Sequence, residues 1–191
     1  PPRSTLFPYT TLFRSKNVAN IIKKRHNEGN EIIVIVSAMS NVTNDLKEQS
    51  SVISKNFDDK ELDVLLSSGE QVSSSLLSGA IIDSGLKARS WLGWQIPIFT
   101  DDNHTSSQIM KIKTDGILSF ISDGGIAVIA GFQGISKDNR ITTLGRGGSD
   151  LSAVAVAKFF KTDSCEIYTD VEGVLTTDPS IHKKAKKIDK I

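Results

Sequence analysis

The chain is poor in several features that would assign it quickly. It has one cysteine, Cys165, so no disulfide can form within it. That cysteine lies in the apolar run CEIYT, where a buried thiol and a reducing cytoplasm are the expectation. It has no excess of either charge: 23 Lys and Arg against 22 Asp and Glu leave a net +1, which gives no general ground for nucleic acid or a membrane surface as partner. No uninterrupted apolar segment approaches the ~18 to 20 residues that cross a bilayer. The histidines number three, His26, His104 and His182, scattered without the HExxH spacing of a metal site, and they read as surface residues. GxxxxGKS and GxxxxGKT are absent, and GRGGSD does not fit GxGxxG, so a dinucleotide site is weakly supported. No repeat of fixed period and no dividing linker occurs. What remains, at 191 residues, 38% hydrophobic and 24% charged, is the composition of one soluble globular domain.

Apolar periodicity then supplies the elements. KNVANIIKKRHNEGN puts Val18, Ile21, Ile22 and Arg25 on one helical stripe and stops at Gly29 and Asn30. EIIVIVS reads as a buried strand, and SAMSNVTND as a polar loop leading to a helix near 44–54. ELDVLLSSGEQVSSSLLSGAIIDSG predicts a longer helix with Leu62, Leu65, Leu66, Leu76, Leu77, Ile81 and Ile82 as its apolar face. Its internal glycines and serines predict a bend or a close approach to a neighbour. KARSWLGWQIPIFTDD offers one or two short strands with Pro97 at an edge or break, and KIKTDGILSFISDGG a helix. GIAVIAGF is a second buried strand, followed by a polar loop; LSAVAVAKFFKTD is an alanine-rich helix, CEIYTD a third buried strand, and VEGVLTTDPSIHKKAKKIDKI loop and tail. Strands alternating with helices of this length predict an α/β fold, a mainly parallel sheet covered on both faces.

Residues 1–15, PPRSTLFPYTTLFRS, stand apart: TLF occurs twice, no acid is present, and the later periodicity is missing. With no apolar h-region or small-residue cleavage site, they read as a foreign leader of assembly or adapter origin, joined near Ser15, with the domain itself at 16–191.

Four stretches could carry chemistry. TTLGRGGSD, Thr142 to Asp150, joins a buried strand to a helix; its glycines let a ligand approach main-chain N–H groups, Ser149 or Asp150 can cap a helix beginning at Leu151, and Arg146 offers a fork for a carboxylate or phosphate. A plain glycine turn with Arg146 in solvent fits the same residues. In YTDVEGVLTTDP, Thr169 and Asp170 fall at the expected carboxyl end of a parallel strand, where α/β sheets bind ligands, although Gly173 and Pro179 suit ordinary turns. SAMSNVTN offers Ser37, Ser40 and Thr43 as donors or as mere caps. In SSGEQVSSS, Glu70 beside Gly69 is a lone acid on a helix of apolar and small residues, a kind that usually faces solvent. The basic KKAKK is a solvated face, or one lysine of it reaches a phosphate.

Taken in order and spacing, SAMSNVTN, SSGEQVSS, WLGWQIPIFTD, VIAGFQGIS, TTLGRGGSDLSAVAVA, IYTDVEGVLTTDP and AKKIDKI resemble the aspartokinases of the amino-acid kinase family, over about 16–191. GRGGSD with TDVEGVLTTDP is the specific part; sister kinases acting on acetylglutamate, glutamate or UMP share the fold but match these words less well. The resemblance implies a three-layer α/β/α sandwich with L-aspartate and ATP across the carboxyl edge of the sheet. It implies transfer of the γ-phosphoryl group of MgATP to the aspartate side chain, giving 4-phospho-L-aspartate in the first step of lysine, threonine and methionine biosynthesis, in a cytoplasmic, homo-oligomeric parent enzyme. By the same resemblance Glu70 meets the substrate amino group, Arg146 a substrate carboxylate, Thr43 the substrate loop, and Ser149 and Asp150 the substrate end of the glycine loop. Asp150 orients lysines about the transferring phosphate, Thr169 and Asp170 contact the nucleotide, and Lys186 reaches the phosphates. No metal-binding side chain is implied; Mg2+ comes with ATP.

Two departures qualify the resemblance. The family's GVYTTDPR has Leu175 for its tyrosine and Ser180 for its arginine here, positions that help hold nucleotide, so altered or weaker ATP binding is expected. The family's opening strand and KFGGTS loop have no counterpart, their place being taken by PYTTLFRS, and the later part of the kinase domain and the regulatory ACT domains are not found. The expectation is a partial catalytic domain with little or no activity; the alternatives are a non-catalytic binding or structural piece that keeps the fold, or another member of the family.

Overall fold

Ile126–Ala130, the IAVIA strand, has every residue buried, and the molecule is layered around it. The computed structural model describes residues 9–168 and 186, with side chains from Ser15 onward. In chain order its elements are α1 (Tyr9–Asn27), β1 (Ile33–Val36), α2 (Val42–Ile53), α3 (Asp59–Asp83), β2 (Ala88–Trp91), β3 (Ile98–Thr100), β4 (Ile109–Ile112), α4 (Asp115–Ser122), β5 (Ile126–Ala130), β6 (Gln133–Ile135), β7 (Ile141–Thr143) and α5 (Gly148–Phe160). β5 lies between β1 and β2 in a three-stranded parallel sheet, with Val34 opposite Val128 and Ser90 opposite the same residue on the other side. A four-stranded sheet, β4-β3-β6-β7, mixes parallel and antiparallel pairs beside it.

Strand alternation divides the core. Ile126 and Val128 pack with Ala19 and Ile22 of α1 and Leu77 and Ile81 of α3. Ala127 and Ile129 turn the other way, to Ile117 and Ile121 of α4 and Val156 of α5. Helices on both faces of a parallel sheet explain why GIAVIAGF is continuously apolar, and they make the predicted three-layer α/β/α arrangement.

Several expectations change. The α1 helix is longer than the 16–30 reading, and its buried face is Ala19 and Ile22, with Val18 and Ile21 turned outward. On α3, Leu66, Leu77 and Ile81 are buried as expected, but Leu76 and Ile82 are exposed; the buried stripe is completed by Asp63, Ser67, Glu70, Ser74 and Ser78. Small side chains there let α3 lie close to the sheet. The loop after GIAVIAGF contains the β6–β7 hairpin, whose three-residue strands are too short to declare a period. CEIYTD does not form a buried strand over its described part: residues 165–168 join no ladder, and Cys165, Ile167 and Tyr168 are exposed. Without a ladder partner β-propensity alone does not extend and bury a run. None of the described helices is long and apolar enough to cross a membrane.

Candidate active site

The chain leaves β1 and β5 in opposite directions. From β1 it passes to α3, on the face of Ile126 and Val128; from β5 it passes through β6 and β7 to α5, on the face of Ala127 and Ile129. Divergent exits from adjacent parallel strands open a crevice at their carboxyl ends, where α/β sheets take ligands. The Gly131 N–H donates to the Val36 carbonyl at 3.0 Å, joining the two exits at the crevice floor.

Over one wall of the crevice runs the 37–41 loop, lying on α3 at Gly69. A Cβ built on Gly69 would stand 2.8 Å from Ala38 Cβ and 3.2 Å from Val42 Cγ1, so only glycine allows this approach. The approach delivers the Ala38 N–H to Glu70, whose Oε1 accepts it at 3.0 Å. Glu70 is only 3% exposed, and its Oε2 is buried with no hydrogen-bond partner among the described residues. Loss of water raises the carboxyl group to about 7 against the opposing pull of the Ala38 amide. The lone acid of the SSGEQ stretch therefore faces inward, because Gly69 beside it packs on the loop. Thr43 stands half-buried in the first turn of α2, next to Val42. Gly69→Ala gains helix propensity but forces the loop outward, so the expected net loss is about 1 kcal/mol, with faster amide exchange at Ala38; urea unfolding and hydrogen exchange measure both.

Over the other wall stands the glycine loop. α5 begins at Gly148, earlier than the expected Leu151, and its N-cap is Gly147 at φ 69, without a side-chain cap. Ser149 and Asp150 are thus first-turn residues and not caps, because glycine in the left-handed region turns the chain into the helix sooner. Their N–H groups make no backbone hydrogen bond among the described residues, leaving the positive end of the helix dipole open. Ser149 Oγ lies 3.1 Å from where a Cβ on Gly131 would be, which sets it at the crevice floor. Ser152 Oγ accepts the Phe132 N–H at 2.9 Å and donates to the Gly148 carbonyl at 2.8 Å, pinning the helix start to the exit of β5. Arg146 and Asp150 are exposed, and Arg146 makes no hydrogen bond or ion pair among the described residues. Glu70, Thr43, Ser149, Asp150 and Arg146 are thus carried on elements that meet around one crevice. Lys186 is exposed; Thr169, Asp170, Leu175 and Ser180 lie outside the described residues. No cluster of three or more His, Cys, Asp or Glu able to hold a metal occurs among the described residues.

One group was missed from the sequence. Asp63 is fully buried on α3 and accepts from Thr143 Oγ1 at 2.5 Å and from the Thr105 N–H at 3.0 Å, with His104 Nδ1 2.6 Å away. His104 is accordingly no surface residue: its side chain is 10% exposed and paired. The only hint in the sequence is the seven-residue spacing of Asp63 and Glu70, which puts two acids on one helix face.

Comparison with known proteins gives a consistent picture. The amino acid kinase family profile matches residues 10–191. The aspartokinase of Rickettsia bellii is 48% identical over 95% of this chain and 46% of its own length. The crystal structure of aspartate kinase from Synechocystis superposes with a TM-score of 0.74 at 43% identity, covering 92% of this chain and 29% of that one. E. coli aspartokinase III in complex with lysine and aspartate (T-state) gives 0.59 at 26% identity, covering 92% and 36%. The chain spans about half the length of the curated relatives it matches.

Proposed function

From the premise that the chain belongs to the amino acid kinase family, we propose that 16–191 is part of the catalytic domain of an aspartate kinase. The reaction is attack of a side-chain carboxylate oxygen of L-aspartate on the γ-phosphorus of ATP. A new P–O bond forms, the bond from that phosphorus to the β–γ bridging oxygen breaks, and ADP leaves. MgATP supplies the phosphoryl group, and Mg2+ arrives on its phosphates, as is usual for that ion. The acceptor carboxylate is already ionised at neutral pH, with an ordinary pKa of ~3.9, so no side chain has to act as base. The work of the protein is alignment and charge neutralisation.

The observation that carries this reading is Glu70: a buried carboxyl with one oxygen held by the Ala38 N–H and the other without a partner among the described residues. Such a group is satisfied by an ammonium ion, as on the α-carbon of an amino acid. Arg146 supplies the fork for a carboxylate of the same ligand, with Thr43 and Ser149 completing the pocket. The open N–H groups of Ser149 and Asp150 at the start of α5 suit the approaching phosphate, and Asp150 orients cationic partners such as Lys186. Nucleotide contacts at Thr169, Asp170, Leu175 and Ser180 belong to the same proposal, as do a cytoplasmic setting, a homo-oligomeric parent and a role in lysine and threonine biosynthesis.

Titration calorimetry with L-aspartate and with succinate, which lacks the ammonium group, tests the reading. L-Aspartate is expected to bind at least about tenfold more tightly, since a charge-assisted hydrogen bond contributes roughly 1.5 to 3 kcal/mol. Equal affinities would remove Glu70 from the proposed role. Trapping of an acyl phosphate with hydroxylamine then reports on catalysis.

A further inference from the structure

We propose that Asp63 is a positioning residue that clamps the 101–107 loop against the glycine loop and so fixes where Arg146 stands relative to Glu70. The proposal rests on the aspartate-site reading for its consequence, but its structural content is independent of it.

A wholly buried carboxylate is costly to keep unless its oxygens are occupied, and those of Asp63 are. Oδ1 accepts from Thr143 Oγ1 at 2.5 Å and from the Thr105 N–H at 3.0 Å; Oδ2 lies 2.6 Å from His104 Nδ1 and 3.2 Å from the same Thr105 nitrogen. These partners come from two separate parts of the chain. Thr143 closes β7, three residues before Arg146. His104 and Thr105 lie in the loop between β3 and β4.

That loop is strained. Thr105 has φ 63, an uncommon conformation for any residue with a side chain and a worse one for a β-branched residue. Strain of this kind persists where surrounding contacts impose it, and the Asp63 carboxylate on the Thr105 N–H is the contact in place. The loop in turn braces the glycine loop: the Thr105 carbonyl lies 3.3 Å from where a Cβ on Gly145 would be, and the Ser107 N–H donates to the Thr143 carbonyl at 2.9 Å. Asp63 thus holds both the strand that leads into the Arg146 loop and the loop that backs it.

Glu70 is seven residues further along α3, two turns or about 10 Å on the same face. A single rigid helix therefore carries, at one end of this span, the group offered to an ammonium and, at the other, the anchor of the loop that offers a guanidinium. The spacing between the two ligand-binding groups is set through Asp63.

Asp63→Asn tests this, because the amide keeps the size of the side chain and one acceptor while losing the charge. Amide exchange at Thr105 and at residues 145–147 is expected to accelerate about tenfold, and tryptic cleavage after the exposed Arg146 severalfold, with the β5 amides unchanged. L-Aspartate affinity is expected to fall about tenfold, and nucleotide affinity to stay the same. Unaltered exchange and cleavage at the glycine loop would overturn the proposal, and so would equal acceleration in β5, the mark of general destabilisation. If Asp63→Asn does not fold, Thr143→Val removes one hydrogen bond of the clamp at nearly constant volume and should loosen the same loop by about threefold, no change being contrary. If the unaltered protein binds no L-aspartate, the aspartate reading fails, while exchange and cleavage still decide the clamp.

Discussion

Glu70→Gln is expected to make the protein more stable at pH 8, by about 1 to 3 kcal/mol, while removing the proposed preference for an amino-bearing ligand. The sign follows from burial. The folded state raises the Glu70 carboxyl from 4.5 to about 7, so between those values the folded protein holds a proton that the unfolded chain has released. Stability therefore declines as pH rises through that interval, and the full penalty is present above about 7. Glutamine has no charge to bury and can keep the hydrogen bond from Ala38, so its variant should lose this slope. Its amide N–H2, standing where Oε2 has no partner among the described residues, offsets part of the gain. Urea unfolding of both proteins from pH 5 to 9 checks the result; parallel curves would contradict a buried carboxylate at this position. On the proposed reading the same group also governs binding. An ammonium ligand favours the ionised form, so L-aspartate affinity should strengthen as pH rises toward and past about 7, with proton release below it, visible as a dependence of the calorimetric enthalpy on the buffer.

The two faces of β5 could be read directly, because a strand buried on both sides has to be apolar at every position. So could the crevice, since SAMSN and the turn after GIAVIAGF both follow parallel strands, although β1 is only half-buried where EIIVIVS predicts a buried strand. The inward direction of Glu70 could not be read locally. An isolated acid on a helix usually faces water, and the contrary signal was its neighbour Gly69, whose meaning depends on a loop arriving from elsewhere. Asp63 was hidden for a similar reason: among Leu62, Leu65 and Leu66 it looks like the polar edge of an apolar helix, and its partners are 41, 42 and 80 residues away in sequence. His104 was misread with it, since a histidine in the polar stretch DDNHTSS shows nothing of a carboxylate supplied by another element. The short strands of the second sheet fall below the length at which alternation is informative. Resemblance, and not local pattern, is what groups Thr43, Glu70 and Arg146 as one proposed site.

Arg146→Ala is expected to weaken L-aspartate binding by about 10- to 100-fold while leaving the unfolding midpoint nearly unchanged. The side chain is exposed and makes no hydrogen bond or ion pair among the described residues, so its removal breaks nothing in the described fold. Its backbone is held by Gly145 at φ 75 and Gly147 at φ 69, conformations that place the residue at a fixed point of the loop. Lysine at the same point keeps the charge but not the planar pair of donors, and should recover only part of the affinity. The reacting carboxylate needs an oxygen free to reach phosphorus, so the fork is expected on the α-carboxylate of the ligand. L-Asparagine, which keeps the α-carboxylate and replaces only the side-chain one, should therefore suffer the same loss as L-aspartate on going from Arg146 to alanine. If only L-aspartate suffers, Arg146 holds the reacting carboxylate; if neither does, the guanidinium has no part in substrate binding, and the glycine loop acts through its backbone alone.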